Sequence, residues 1–368
     1  MNIGILTHYN VASHGAYLQL YAMSRALEER GHRPFVLTYG KNYDFAEGDE
    51  ARKFQVGLAN VPYYLKNYLV ETGAGNMLFQ VRKQRELRAF GKATFEYRHY
   101  AQAGMDAAVI GADEVFSLQY GVNIMMYGHA VDAQSVFSYA PSFGQTDVAR
   151  IDRYHVRELV SSGLSALQGL SVRDEGSAGV VEELCGFRPP IVCDPALLYD
   201  FGRERLHFGN RPQKKPYALV YAYTTNMNDR QTVDAVKTYA HDLGLQLVSL
   251  EGYHAWCDRN IACDPVEMLA WFANASAVIT DTFHGTISSV ITHAPLALFT
   301  RPTNTVKLGY LVRQLGIESR VVGPNRSLAE TLAAPFDYRD VDSRVARLRT
   351  EGSAYLDEQL AKSKGKIR

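Results

Sequence analysis

The chain predicts an α/β protein built from two Rossmann-like domains whose parallel sheets face each other across an interdomain cleft. Three observations lead there. Short apolar runs alternate with helical patterns along most of the sequence, which is the signature of βα units. The alternation is interrupted once, by the polar stretch FGRERLHFGNRPQKKP at 201–216, and then restarts. A length of 368 residues with 46% hydrophobic content also suits about two cores.

In the first domain, 1–200, a strand at Ile3 to Thr7, a helix from about Ala16 to Arg30, Gly31 and a strand at Pro34 to Leu37 make a βαβ opening. Residues 41–105 mix aromatic and charged side chains around the amphipathic stretch MLFQVRKQRELRAFGKATF, and we expect an insertion or lid. Strands follow in MDAAVIGAD and SVFSYAPSFG, and a helix from Asp152 to Leu167. GLSVRDEGSAGVVEELCG then reads as strand, Arg173-Asp174 turn, capped helix and stop, and PPIVCDPALL as a strand ending at Asp194-Pro195. After the 201–216 linker, the second domain, 217–335, contains YALVYAY, a helix near Asp229 to Leu243, LQLVSLE, a helix near Pro265 to Asn274, SAVIT, the helix opened by DTFHGT, PLALF and a helix near Val306 to Leu315. The last part, 336–368, carries a helix at about Asp342 to Leu360 that is expected to cross back to the first domain, and a basic tail.

Charge and composition exclude several classes. Lys plus Arg and Asp plus Glu are 39 each, so no global field draws the chain to nucleic acid or to an acidic membrane. Any anion site must be assembled locally. Cys185, Cys193, Cys257 and Cys263 form no C-x-x-C pair and are expected as free thiols in a reducing cytoplasm. No apolar run is long enough to span a bilayer, and MNIGILTHYN reads as a buried strand instead of an export signal. The expected location is therefore cytoplasmic, with at most peripheral contact at the inner face of the membrane through the basic tail. The fingerprint G-x-G-x-x-G is missing after the first strand, which argues against a dinucleotide cofactor. Neither an H-x-x-H nor a C-x-x-C ligand set is present, so no metal is called for.

In open parallel sheets, ligands bind beyond the carboxyl ends of the strands. Distinctive polar residues recur at those ends: His8 and Asn10, Asp113 and Glu114, Ser142, Arg173, Asp194, Tyr223, Glu251, Asp281 and His284, and Arg301. The hinge DTFHGT is the most informative. Thr282 is placed to cap a helix, Gly285 to let a ligand approach closely, and the first free N–H groups, running to Thr286, to attract an anion beside His284.

Six stretches occur in the order of a known family: THYNVASHGAYLQLYAM, VIGADEVF, FSYAPSFG, LSVRDEGS, VCDPALLYD and ITDTFHGTISS. On these the chain resembles the polysaccharide pyruvyl transferase family along nearly its whole length. The resemblance implies a GT-B-like architecture, with the donor in the second domain and the acceptor in the first. It also implies transfer of the enolpyruvyl part of phosphoenolpyruvate to a pair of sugar hydroxyls as a ketal. His284 then corresponds to the His of the family's S/T-x-x-HG element, Arg173 to the Arg of S-V-R, and Asp113 to the Asp of G-S-D-x-x-F/W, with Ala112 where Ser is usual. The opening Asn-Tyr-Gly-Ala is replaced by Ser13-His14-Gly15-Ala16, and Lys307 stands where Arg is frequent. Lys keeps the charge and loses the two-pronged grip.

A donor with a carboxylate and a phosphate needs cations and oriented N–H groups: Arg173, Arg301, Lys307 and the helix start after Thr282. His284 suits either proton donation or phosphate binding. Asp113 is the first choice and His14 the second for a base acting on the acceptor hydroxyl. Expected partners are thus phosphoenolpyruvate and a sugar or lipid-linked saccharide, with no separate cofactor and an open oligomeric state. Two alternatives share the fold: a metal-independent GT-B glycosyltransferase using a nucleotide sugar, and a non-catalytic binding homologue.

Overall fold

Strands that are apolar along nearly their whole length need cover on both faces, and parallel sheets flanked by helices provide it. The computed structural model describes residues 1–42, 45, 61–101, 104–119, 121–301 and 305–366, with the side chains of 61–72, 207, 305 and 306 left aside. The first sheet contains β1 (Asn2–Leu6), β2 (Arg33–Thr38), β3 (Tyr97–His99), β4 (Met105–Ile110) and β5 (Ala133–Ser138) in the order β3-β2-β1-β4-β5, all parallel. The second contains β6 (Tyr217–Tyr221), β7 (Gln246–Ser249), β8 (Arg259–Asn260), β9 (Ala277–Thr280) and β10 (Leu296–Leu298) in the order β10-β9-β6-β7-β8, again all parallel. Each order reverses beside its first strand, between β1 and β4 and between β6 and β9. Such a switch point leaves a crevice at the strand ends. The two-domain, Rossmann-like α/β architecture is thus present.

The helices are α1 (His14–Glu29), α2 (Val61–Thr94), α3 (Val148–Arg153), α4 (Arg157–Ala166), α5 (Glu175–Cys185), α6 (Pro195–Leu198), α7 (Arg230–Asp242), α8 (Pro265–Ala273), α9 (Phe283–Thr292), α10 (Thr305–Leu315), α11 (Leu328–Ala333) and α12 (Tyr338–Lys366). Local chemistry starts many of them: Ser13, Asp174, Asp229, Asp264, Thr282 and Ser327 each accept a first-turn amide. One apolar core is shared by the two domains. It includes Ile3, Leu18 and Leu27 of the first, and Leu219, Val248 and Leu269 of the second.

Several expectations change. The single helix over 152–167 is two, because Tyr154 ends α3 and His155 adopts φ +55, a left-handed turn that restarts the chain in a new direction. The 201–216 linker begins inside the core: Phe201 is fully buried, and the Glu204 carboxylate accepts the hydroxyls of Tyr21 and Tyr199. Strand β8 carried too little apolar pattern to be foreseen. Of the expected insertion or lid at 41–105, residues 43, 44, 46–60, 102 and 103 lie outside the described residues. Helix α2 is broken at Gly73 (φ 74, ψ 154) and packs against the second domain.

The last helix does cross back. Asp342 meets His293 at 2.8 Å in the second domain, and further along Tyr355 donates to the Ser138 carbonyl at 3.0 Å and Ser363 meets Ser135 at 2.9 Å in the first. Midway, Gly352 faces the Tyr139 hydroxyl so closely that a Cβ there would stand 2.5 Å from it and 3.2 Å from Cys193 Sγ. Among the described residues no helix is long and apolar enough to cross a membrane.

Replacing Gly352 by Leu should overpack this seam and lower stability by about 1–3 kcal/mol. Urea unfolding followed by tryptophan fluorescence checks it, and an unchanged midpoint contradicts this account of the seam.

Candidate active site

The crevice of the first sheet is walled by the loop after β4. Gly111 has φ +122, and a Cβ at that position would strike the Tyr139 carbonyl. Asp113 has φ +74, a conformation that costs a non-glycine residue about 1–3 kcal/mol and survives only where neighbours impose it. They do. The Gly111 amide donates to Leu6, the Ala112 amide to Gln19 Oε1 at 3.2 Å, the Thr7 hydroxyl to the Ala112 carbonyl at 3.0 Å, and the Ser142 amide to the Asp113 carbonyl at 2.8 Å.

Arg173 arrives on a segment that extends this sheet through single bridges, Phe137 with Gly169 and Val172 with Ile191. The residue is 3% exposed. Nη1 donates to Asp194 Oδ2 at 2.7 Å, Nη2 lies 3.7 Å from Asp113 Oδ1, and the guanidinium carbon is 4.4 Å from the centre of the Phe283 ring. Such a cation–ring contact contributes about 0.5–2 kcal/mol. Asp194 works on two sides, since Oδ1 accepts the Ala196 amide at 3.0 Å to cap α6 while Oδ2 also sits 3.6 Å from His284 Nε2. Burial alone would raise this carboxyl. The His284 imidazole that faces it and the charge of Arg173 outweigh burial and bring it down to about 2. Asp113 behaves alike: burial is overcome by Arg173, His8, His284 and Lys307, and it is held well below the usual carboxylate range.

The opposite wall comes from the hinge between β9 and α9. Thr282 caps α9 by accepting the Gly285 amide at 3.0 Å, as its position predicted. Gly285 has a different reason from the expected one. A Cβ there would run into the Thr280 and Thr282 hydroxyls and the Tyr221 ring, so the glycine lets α9 close on the sheet and does not serve ligand approach. Thr286 is likewise turned inward, donating to the Thr282 carbonyl at 2.8 Å. His284 projects from the first turn toward the first domain, and its ring fills the space that a side chain at Gly15 would occupy. Arg301, after β10, meets Asp281 at 2.5 Å; burial raises the Asp281 carboxyl, and Arg301 opposes that rise. Lys307 of α10 reaches across to Glu114 at 2.6 Å and lies 5.2 Å from the Phe283 ring centre. Tyr223, 48% exposed, stands within the field of Glu251, Asp113, Glu114 and Asp281.

Other nominated residues sit elsewhere. His14 is fully buried, with Nδ1 2.7 Å from Glu251 Oε2 and Nε2 3.0 Å from the Cys263 carbonyl, so neither nitrogen is open to a substrate hydroxyl. The base role first weighed for it is withdrawn. Ser142 is buried between Asp174, to which it donates at 2.6 Å, and the Gly144 amide, and it braces the loop. Asn10 accepts from Arg88 of α2 at 3.0 Å, while His8 faces Asp113 closely enough to lower its carboxyl.

One group of residues was missed. Lys83 of α2 is buried beside Glu251, donating to its carbonyl at 2.6 Å and standing 2.9 Å from Oε1, while Tyr221 donates to Oε2 at 3.1 Å. With His14, this network joins α1 and α2 to the second domain. Burial would raise Glu251, but Lys83 and His14 bring it down to about 2. A signal existed: Asn76, Phe79, Lys83 and Leu87 fall on one buried helical face, so the lysine interrupts an inward stripe.

Two Rossmann-like sheets meeting at their switch points over arginine, lysine, imidazole and paired carboxylates define a GT-B-like two-domain protein. Residues 14–302 match the family described as Polysaccharide pyruvyl transferase, and the chain belongs to that family, which makes it a transferase. Similar solved structures include a glycotransferase of kitacinnamycin (15% identity, covering 96% of this chain and 95% of that one, TM-score 0.45). The glycosyltransferase VinC in complex with DTDP is another (11% identity, 99% and 100%, TM-score 0.47). So is the UDP-GlcNAc 2-epimerase of Methanocaldococcus jannaschii in complex with UDP-GlcNAc and UDP (11% identity, 95% and 100%, TM-score 0.43). No curated protein matches the sequence.

Replacing Lys83 by Ala leaves Glu251 with less compensation in the interior and should cost about 3–5 kcal/mol in urea unfolding. Because Glu251 is lowered from 4.5 to about 2, its contribution is complete above about pH 4.5 and is lost as pH falls toward 2. The stability gap between wild type and Glu251→Gln should therefore narrow over that interval; a gap independent of pH contradicts the assignment.

Proposed function

We propose that the protein transfers the enolpyruvyl group of phosphoenolpyruvate to two hydroxyls of a saccharide, forming a pyruvate ketal and releasing phosphate. The observation that carries the reading is a set of donors. Arg173 Nε and Nη2 and His284 Nε2 are buried and have no hydrogen-bond partner among the described residues. A buried N–H of a charged group without an acceptor is costly, and a small molecule rich in anionic oxygen supplies what these three need.

The charges nearby shape how such a molecule is taken. Arg173, Lys307 and Arg301 already face Asp194, Glu114 and Asp281, so the site holds no excess of positive charge in advance. Arg173 keeps Asp194 through Nη1 and offers its other two nitrogens, Nε and Nη2. The Lys307 side chain is 26% exposed and turns from Glu114 to the donor. First-turn amides of α9 add partial positive charge.

In the reaction, His284 gives a proton to the methylene carbon of the donor, and the adjacent carbon becomes the electrophile. An acceptor hydroxyl attacks it, the carbon–oxygen bond to phosphate breaks, and the second hydroxyl closes the ketal. Of the two hydroxyl protons released, one replaces the proton taken from His284 and the other leaves on phosphate. Asp113 stays ionised beside Arg173 and is a weak base, so its part is to accept a hydrogen bond from the attacking hydroxyl and orient it.

His284→Ala should cut saccharide-dependent phosphate release by about 10²–10⁴-fold while circular dichroism at the assay temperature still shows the folded protein. Near-normal turnover overturns the role of His284. A melting curve raised by UDP, GDP or CDP and not by phosphoenolpyruvate overturns the donor itself. Gly15→Ala, which displaces the same imidazole without removing it, should lower turnover by about 10²-fold.

A further inference from the structure

A groove of about 660 Å³ lies apart from the cleft, between the second segment of α2 and the loop leading into and past β8. That volume is in the range of small-molecule sites. One wall carries Leu78, Phe79, Arg82 and Arg85, and the other Tyr253 and Ile261. Gly75 lies against the Tyr253 hydroxyl, which a side chain at 75 would have to displace. Arg82 and Arg85 are one helical turn apart and exposed, and neither has a hydrogen-bond or ion-pair partner among the described residues. Glu86 is the one carboxylate in the lining, so the groove is net positive on a chain whose total charge is zero.

Thr224 connects the groove to the cleft. Gln80 of α2 donates to Thr224 Oγ1 at 3.3 Å, the Tyr253 amide donates to the same oxygen at 3.0 Å, and Thr224 follows Tyr223 in the cleft. A chain of sugars whose reactive hydroxyls lie at Asp113 would reach this groove by running past Tyr223 and over Thr224. Its rings would meet the partly exposed aromatic surface of Tyr253 there, and its charge the two guanidinium groups, which suit the planar oxygens of phosphate or carboxylate.

We propose that this groove binds the negatively charged part of the acceptor, and hence that the acceptor is an anionic saccharide. The inference rests on the pyruvyl transfer reading for the place of the reactive end, and its test is independent of that reaction. The charge has two sources of the same chemistry, a phosphate linkage or a uronate carboxylate.

Calorimetric titration of the full-length protein with three probes separates them: a short-chain prenyl diphosphate-linked N-acetylglucosamine, trigalacturonate and maltotriose. Wild type should bind one of the two anionic probes, and which one it binds names the source. The double variant Arg82→Gln, Arg85→Gln should bind that probe about tenfold or more weakly. Phosphoenolpyruvate should bind wild type and variant equally, which shows that the cleft is intact. Anionic binding that is the same in the variant, a wild type that prefers maltotriose, or a wild type that takes neither anion overturns the proposal. Loss of phosphoenolpyruvate binding by wild type would instead strike the donor reading and leave the groove result standing.

Discussion

Asp194 is the constraint on which the rest of the site depends. It belongs to the first domain, caps α6 with one oxygen, and with the other holds Arg173 and faces His284 of the second domain. A buried carboxylate is tolerated only when charge and hydrogen bonds surround it. Those partners come from both domains, so the ionised state of Asp194 requires the domains to be closed on each other at this point. The geometry of Arg173 and His284 is then a consequence of domain closure as much as of either domain's own fold.

A second set of buried charges serves the same closure from another side. Glu251 is reached by Lys83 from α2 and by His14 from the start of α1, both elements of the first domain. The next residue, Gly15, lies against the His284 ring. Helix α1 therefore links the two sets. Its first residue is held by Glu251, its second sets where the imidazole can sit, and its body belongs to the core that the two domains share. Pairing each cation with a carboxylate keeps a neutral protein from carrying unsatisfied charge in its interior. In the cleft, N–H groups of Arg173 and His284 are left without a hydrogen bond among the described residues, and the donor proposed above would engage them.

Much of this was legible along the chain. The apolar runs and caps place β1, β4, β6, β9 and the start of α9 correctly, because a strand's burial and a helix's first turn depend on nearby residues. The convergence of Arg173, Asp113 and His284 was also readable, since all three stand at strand ends and parallel strands deliver their ends to one edge. The roles of His14, Ser142, Gly285 and Thr286 were not. Each has a residue type that suits a ligand site, yet each spends its polar group or its missing side chain on packing within the protein. Asp194 was noticed as a strand-end residue before Pro195, which suits the cap it forms on α6; its second oxygen has partners 21 and 90 residues distant by number and gave no local trace.

By itself, the sequence determined the fold class, the two repeats of βα units, the helix caps and the edge at which chemistry is assembled. These follow from periodicity and from hydrogen bonds between neighbours, both of which are short-range. Tertiary structure decided which charges are buried together, which histidine is open and which is enclosed, and that α2 leans on the second domain to form a positively charged groove. Those outcomes depend on electrostatic energies between residues brought close only by domain packing. They are large because water is excluded there, and no spacing along the chain encodes them.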